Sequence, residues 1–67
     1  MNKYIVHATV YKYDEGLESH TKANVNEVVE AENREIAKDL AEDKIAKKHT
    51  MPKISNVRVE IDLINEI

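Results

Sequence analysis

The chain has 67 residues, of which 13 are acidic and 10 basic, with a formal net charge of −3. This length allows one small domain over residues 1–67, and the negative balance disfavours general nucleic-acid binding, which depends on Lys and Arg neutralising phosphates. The absence of cysteine excludes disulfides and thiolate zinc ligands. No run reaches membrane-spanning length, so we expect a cytoplasmic protein without a membrane segment.

The first predicted element is a strand over residues 3–13, which a turn joins to a second strand. Asp14-Glu15-Gly16 predicts the turn, because Asp favours an early turn position and glycine tolerates a positive φ. The second strand runs from Leu17 to about Ala31. Paired residue numbers are expected to sum to 31, because this register collects apolar residues on one face: Val10 faces Thr21, Ala8 faces Ala23 and Val6 faces Val25.

The segment 25–31 admits a second interpretation. Glu27 interrupts the inward apolar file, so we expect a bulge near Asn24–Asn26 or a bend of the strand. Alternatively, Asn24 and Glu27 form the capping box of one long helix that continues past residue 36. The strand is favoured here, because three valines suit a pleated backbone.

A helix is predicted over residues 33–49. Asn33 is a suitable N-cap and Glu35 complements the dipole in the first turn. The apolar stripe recurs at helical spacing, with Leu40 as its expected central contact: Ile36, Ala37, Leu40, Ala41 and Ile45. Basic residues crowd the last turn, and Pro52 stops any continuation.

The third strand is predicted over Asn56–Leu63, where apolar and charged residues alternate without interruption. Because side chains on a strand alternate between faces, one face is expected to be buried (the dry face) and the other exposed to solvent (the wet face). The dry residues are Val57, Val59, Ile61 and Leu63; the wet residues are Arg58, Glu60 and Asp62.

Together these elements predict an α+β fold with the order β-β-α-β. The densely apolar first strand belongs in the centre, and a right-handed crossover places the third strand beside it. The result is a three-stranded antiparallel sheet of order 2-1-3, with one helix packed on one face. The other face, here called the open face, is expected to remain uncovered.

The candidate interaction residues lie on this open face and on the third strand: Tyr11, Tyr13, His20, Arg58, Glu60 and Asp62. A candidate anion-binding patch lies near the end of the helix: Lys44, Lys47, Lys48 and Lys53. In the predicted register His7 and His20 are about 13 Å apart, too far to share one metal ion. We expect no metal and no cofactor.

These patterns favour a protein-interaction module over an enzyme, because the two serines and three histidines form no catalytic constellation and no glycine-rich phosphate loop exists. We expect an inhibitor or adaptor that binds a larger protein or acts as a homodimer. The third strand is the expected dimer edge, since proline, bulges and inward charges are not evident in it. The alternative is a nucleic-acid-binding accessory protein that uses the lysines at the helix C-terminus.

Overall fold

A computed structural model describes all of residues 1–67 and contains three strands and one helix. The elements in chain order are β1 (Asn2–Asp14), β2 (Ser19–Ala31), α1 (Arg34–His49) and β3 (Ile54–Glu66). The sheet has the order β2-β1-β3, with both outer strands antiparallel to β1 and α1 on one face. The predicted α+β fold is therefore confirmed. The helix is not long and apolar enough to cross a membrane.

The β1–β2 hairpin is continuous, but its register differs from the predicted one. Asn2 pairs with Ala31 and Asp14 with Ser19, so paired numbers sum to 33 rather than 31. The loop lies one residue later than expected, because the Asp14 carboxylate accepts a hydrogen bond from the Leu17 amide and Glu18 takes a φ of 51°. Gly16 does not have the positive φ expected of it. Because side chains alternate between the two faces of a strand, a register shift of two residues leaves each side chain on its predicted face. The predicted apolar face is therefore still the one that faces the core.

Residues 25–31 belong to β2, which excludes the long-helix interpretation. The predicted helix is confirmed, with Asn33 as its N-cap accepting a hydrogen bond from the Ile36 amide at 2.9 Å. At the other end, the Thr50 hydroxyl donates to the Ala46 carbonyl at 2.7 Å. These bonds satisfy backbone groups that have no partner inside the helix.

The core lies between α1 and the inner face of the sheet. Its nine buried residues are Tyr4, Val6, Ala8, Val10, Val29, Ala31, Ala37, Ala41 and Ile45. Leu40 is 46% exposed and Ile36 40% exposed, so the prediction that Leu40 is the central helix contact is wrong. The physical reason is that fully buried Ala37 and Ala41 form the line of closest approach, which turns Leu40 to the side of the helix.

β3 is longer than predicted and contains two register shifts against β1. One lies between the pairs Ala8–Ile61 and His7–Leu63, so that Asp62 has no partner opposite it. The other accompanies Asn56, whose φ is 53°. The expectation of an unbulged third strand is therefore wrong. It follows that Leu63 is not on the dry face: it faces outward opposite His7, and Ile64 packs against the core instead.

Candidate functional site

Glu27 occupies an inward position on β2, where the sequence suggested a bulge or bend. β2 has neither a bulge nor a break there, because α1 supplies two cations. Lys48 contacts both carboxylate oxygens at 3.0 and 3.1 Å, and Lys44 lies 3.1 Å from one of them. The hydrogen bond from Lys48 and then that from Lys44 lower the pKa of Glu27 below its ordinary value, against the opposing effect of burial. The Glu27 carboxylate is thus ionised, and the two lysines of α1 balance its charge.

This arrangement occupies much of the predicted anion patch. Lys44 and Lys48 bind Glu27, and Lys47 lies 3.0 Å from Asp43 on the preceding turn of the helix. Lys53 lies in the turn before β3, where its carbonyl accepts a hydrogen bond from the Glu15 amide at 2.7 Å. Anion binding by this patch stays a prediction, and three of its four lysines already have carboxylate partners.

The six predicted interaction residues lie on the open face. Tyr13 pairs with His20 and Tyr11 with Arg58 across the strands, and Glu60 is opposite Thr9. The Arg58 guanidinium carbon lies 4.5 Å from the centre of the Tyr11 ring, a cation–π geometry. Tyr13 and His20 meet edge to face at 5.0 Å. Both tyrosine rings are thus engaged within the sheet, which reduces their availability as platforms for stacked bases.

Polar side chains in the middle of the open face bond to one another across the strands. The Thr9 hydroxyl lies 2.7 Å from a carboxylate oxygen of Asp62 and 3.2 Å from the side-chain oxygen of Asn24. His7 lies 2.6 Å from the Asn26 side chain. His20 contacts Tyr13 and His49 contacts Lys12, so the three histidines have separate environments. No three metal-ligating side chains come close together.

One end of the open face is apolar, and sequence reasoning did not assemble it. Ile5 pairs directly with Val28, while Leu63 on β3 and Ile67, the residue after β3, lie diagonally on either side of it. Val28, Leu63 and Ile67 are 47%, 53% and 69% exposed. We call these four residues the apolar end. The signal in the sequence is the adjacent pair Leu63-Ile64, because two neighbouring apolar residues on a strand cannot both face inward.

A groove of about 380 Å³ lies on the opposite side of the sheet, between β2 and α1. Val28, Val29 and Leu40 supply its apolar lining, Glu30 completes the β2 side, and Asp43, Lys44 and Lys47 lie along the helix side. The outer edge of β2 runs beside this groove, because β1 occupies only the other edge of β2. Comparison of the chain with models of protein families, with curated proteins and with solved structures finds no match.

Proposed function

We propose that this protein is a small non-enzymatic interaction module, an inhibitor or adaptor that forms a homodimer and binds a larger protein through its open face. The proposal includes the cytoplasmic location expected from the sequence. The chain would act by presenting a fixed surface, with no step of covalent chemistry.

The observation that carries this proposal is the apolar end. Four apolar side chains adjoin one another across all three strands, and no element of the chain covers them. Contiguous exposed apolar groups on a small protein are typical of a binding site, whereas single ones are common anywhere on a surface. The neighbouring ladder of cross-strand hydrogen bonds holds this part of the sheet in one conformation, which lowers the entropy lost on binding.

The small core supports association as well. Only nine of the 67 residues are buried, and a chain of this size gains stability from any further apolar burial. A dimer or a complex would bury side chains that α1 leaves exposed, among them Leu40 and Ile36.

The proposal can be tested with the full chain as an affinity bait in extract from its host. We expect wild type to capture a specific protein and Leu63→Ser to lose it, because the substitution removes a half-exposed apolar side chain from this surface. Leu17→Ser is the matched control, since Leu17 is 71% exposed but lies in the hairpin turn. Capture of the same proteins by wild type and Leu63→Ser, or of none by wild type, would contradict binding at the apolar end.

A further inference from the structure

We infer that a second copy of this chain pairs antiparallel with the outer edge of β2, joining two three-stranded sheets into one of six strands. The inference rests on the homodimer of the proposed function and specifies the surface that forms it. It replaces the third strand with the second as the dimer edge.

The two free edges of the sheet, β2 and β3, differ in the features that prevent a further strand from pairing with them. β3 has two register shifts, which bend a strand and interrupt any pairing along it. At the same strand, the Arg34 guanidinium donates to the Ile64 carbonyl at 2.6 Å, so a side chain already binds one of its backbone acceptors. A partner strand would therefore find only a short regular stretch on β3.

β2 offers a longer and more regular edge. Its 13 residues pair with β1 without a shift, and the one side chain that bonds its backbone is Ser19 at the first residue of the strand, which donates to the His20 carbonyl at 3.3 Å. Glu27 is an inward charge of the kind that protects edges, but Lys44 and Lys48 neutralise it. This edge therefore lacks both the bulges and the unbalanced charge that discourage pairing.

Exposed apolar groups flank the β2 edge on both faces of the sheet. Val28 lies on the open face, while Leu40 overhangs the groove on the helix side. Ile36 lies one helical turn before Leu40 on the same side of α1. A strand added to β2 would be covered from both faces, which is the geometry of strand addition at a sheet edge.

Charge complementarity selects the register. A two-fold axis perpendicular to the sheet places open-face residues opposite open-face residues. In one such register Lys22 lies opposite Glu30 of the partner subunit, twice in the dimer, and neither residue makes an ion pair within its own chain. Asn26 then lies on the axis, and Ala23 of the partner subunit pairs with Val29 beside the groove.

Disulfide formation tests both the edge and the register, because the natural chain has no cysteine. Directly opposed residues have Cα atoms about 4.5–5.5 Å apart, within the range of a disulfide. We expect Asn26→Cys to form a covalent dimer under mild oxidation. Asn24→Cys is the matched control: it is equally on the open face, but the two copies would be about 13 Å apart. Cross-linking of Asn24→Cys equal to or faster than that of Asn26→Cys would overturn the register.

Charge reversal gives an independent test that needs no covalent bond. Lys22→Glu alone and Glu30→Lys alone should each weaken the dimer about tenfold or more, since each creates two pairs of like charges. An equimolar mixture of the two variants should recover the wild-type Kd, because both ion pairs re-form in the mixed dimer. Far-UV circular dichroism verifies that each exposed substitution leaves the fold intact.

The molecular mass of the wild-type protein in solution shows whether it is a dimer. This measurement distinguishes failure of the present inference from failure of the proposed homodimer. Where wild type is dimeric but both reversals dimerise as well as it does, the inferred register along β2 is overturned and the homodimer stands. A strictly monomeric wild type at high micromolar concentration overturns both. Weakened single variants with a restored mixture support pairing through β2.

Discussion

Glu27 shows how a single residue can contradict the pattern of its strand and still be accommodated. The carboxylate points toward α1 between apolar neighbours, and its side chain is 11% exposed. Lys44 and Lys48 are half-exposed, so their ammonium groups can meet the carboxylate while remaining in contact with water. The helix spacing of four residues brings both ammonium groups to the same carboxylate.

The stability of the protein should therefore depend on the ionisation of Glu27. Its pKa in the folded chain lies below the ordinary value of 4.5, so the ionised form stabilises the fold above about pH 4.5. This contribution is lost as the pH falls from there through the lowered pKa. We expect Glu27→Gln to cost about 1 kcal/mol at pH 7, and the difference from wild type to disappear at low pH.

Urea unfolding of both chains from pH 7 to pH 2 measures this difference. The other carboxylates titrate in both proteins, so their contribution cancels in the difference in unfolding free energy between wild type and Glu27→Gln. A gap in unfolding free energy that does not change with pH would show that the ion pairs with Glu27 contribute nothing.

Leu40 and Ile45 differ in burial although both belong to the same apolar stripe in the sequence. Ile45 is 1% exposed and contacts the core, whereas Leu40 lies beside the groove. Ile45→Ala should lower the free energy of unfolding by about 2–5 kcal/mol, because it leaves a cavity. Leu40→Ala should cost less than about 1 kcal/mol in the monomer. Thermal or chemical melts at low concentration decide the point, and the reverse order of the two variants would contradict the observed helix orientation.

Among the elements, β3 shows where sequence periodicity succeeds and where it fails. The alternation from Val57 to Ile61 identified the inner and outer faces, because the pleat has a period of two. A bulge interrupts this period after Ile61, and a pattern of apolar and charged residues alone does not fix its position. Consequently the pattern predicts the wrong face for Leu63 and does not reveal the apolar end.

The faces of the regular part of β3 lead to a prediction. Val59 packs against the core opposite Val10, and Glu60 is exposed on the open face. Val59→Asp should cost several kcal/mol, on the order of the total stability of such a domain, because it introduces a carboxylate that has no partner there. Glu60→Lys should change the stability little. Thermal melts of the two variants compare them directly, and equal losses of stability would mean that the faces are inverted.

The helix and the hairpin were predictable to different degrees for physical reasons. Asn33 and the basic last turn marked both ends of α1, because capping and the dipole act locally. The side of α1 that faces the sheet depends on how closely Ala37 and Ala41 can approach the strands, which is a tertiary effect. The hairpin register similarly depended on Glu18 taking a positive φ, which its residue type does not favour.

At the scale of the whole molecule, one face of the sheet is covered by α1 and the other is free, and the two edges of the sheet are unequal. The candidate interaction residues predicted from the sequence are brought together on the open face. The apolar end and the β2 edge needed the structure, because each combines residues that are distant in the chain. An interaction module of this shape would use the edge for its own dimer and the open face for a larger partner.

Amide hydrogen exchange followed by NMR at two protein concentrations tests this account most directly. In the proposed dimer the outward amides of β2 between Thr21 and Ala31 acquire partners, so their exchange should slow at high micromolar concentration and recover on dilution. The amides of β3 should exchange at the same rate at both concentrations. Exchange on β2 that is independent of concentration, or slowing confined to β3, would contradict the account.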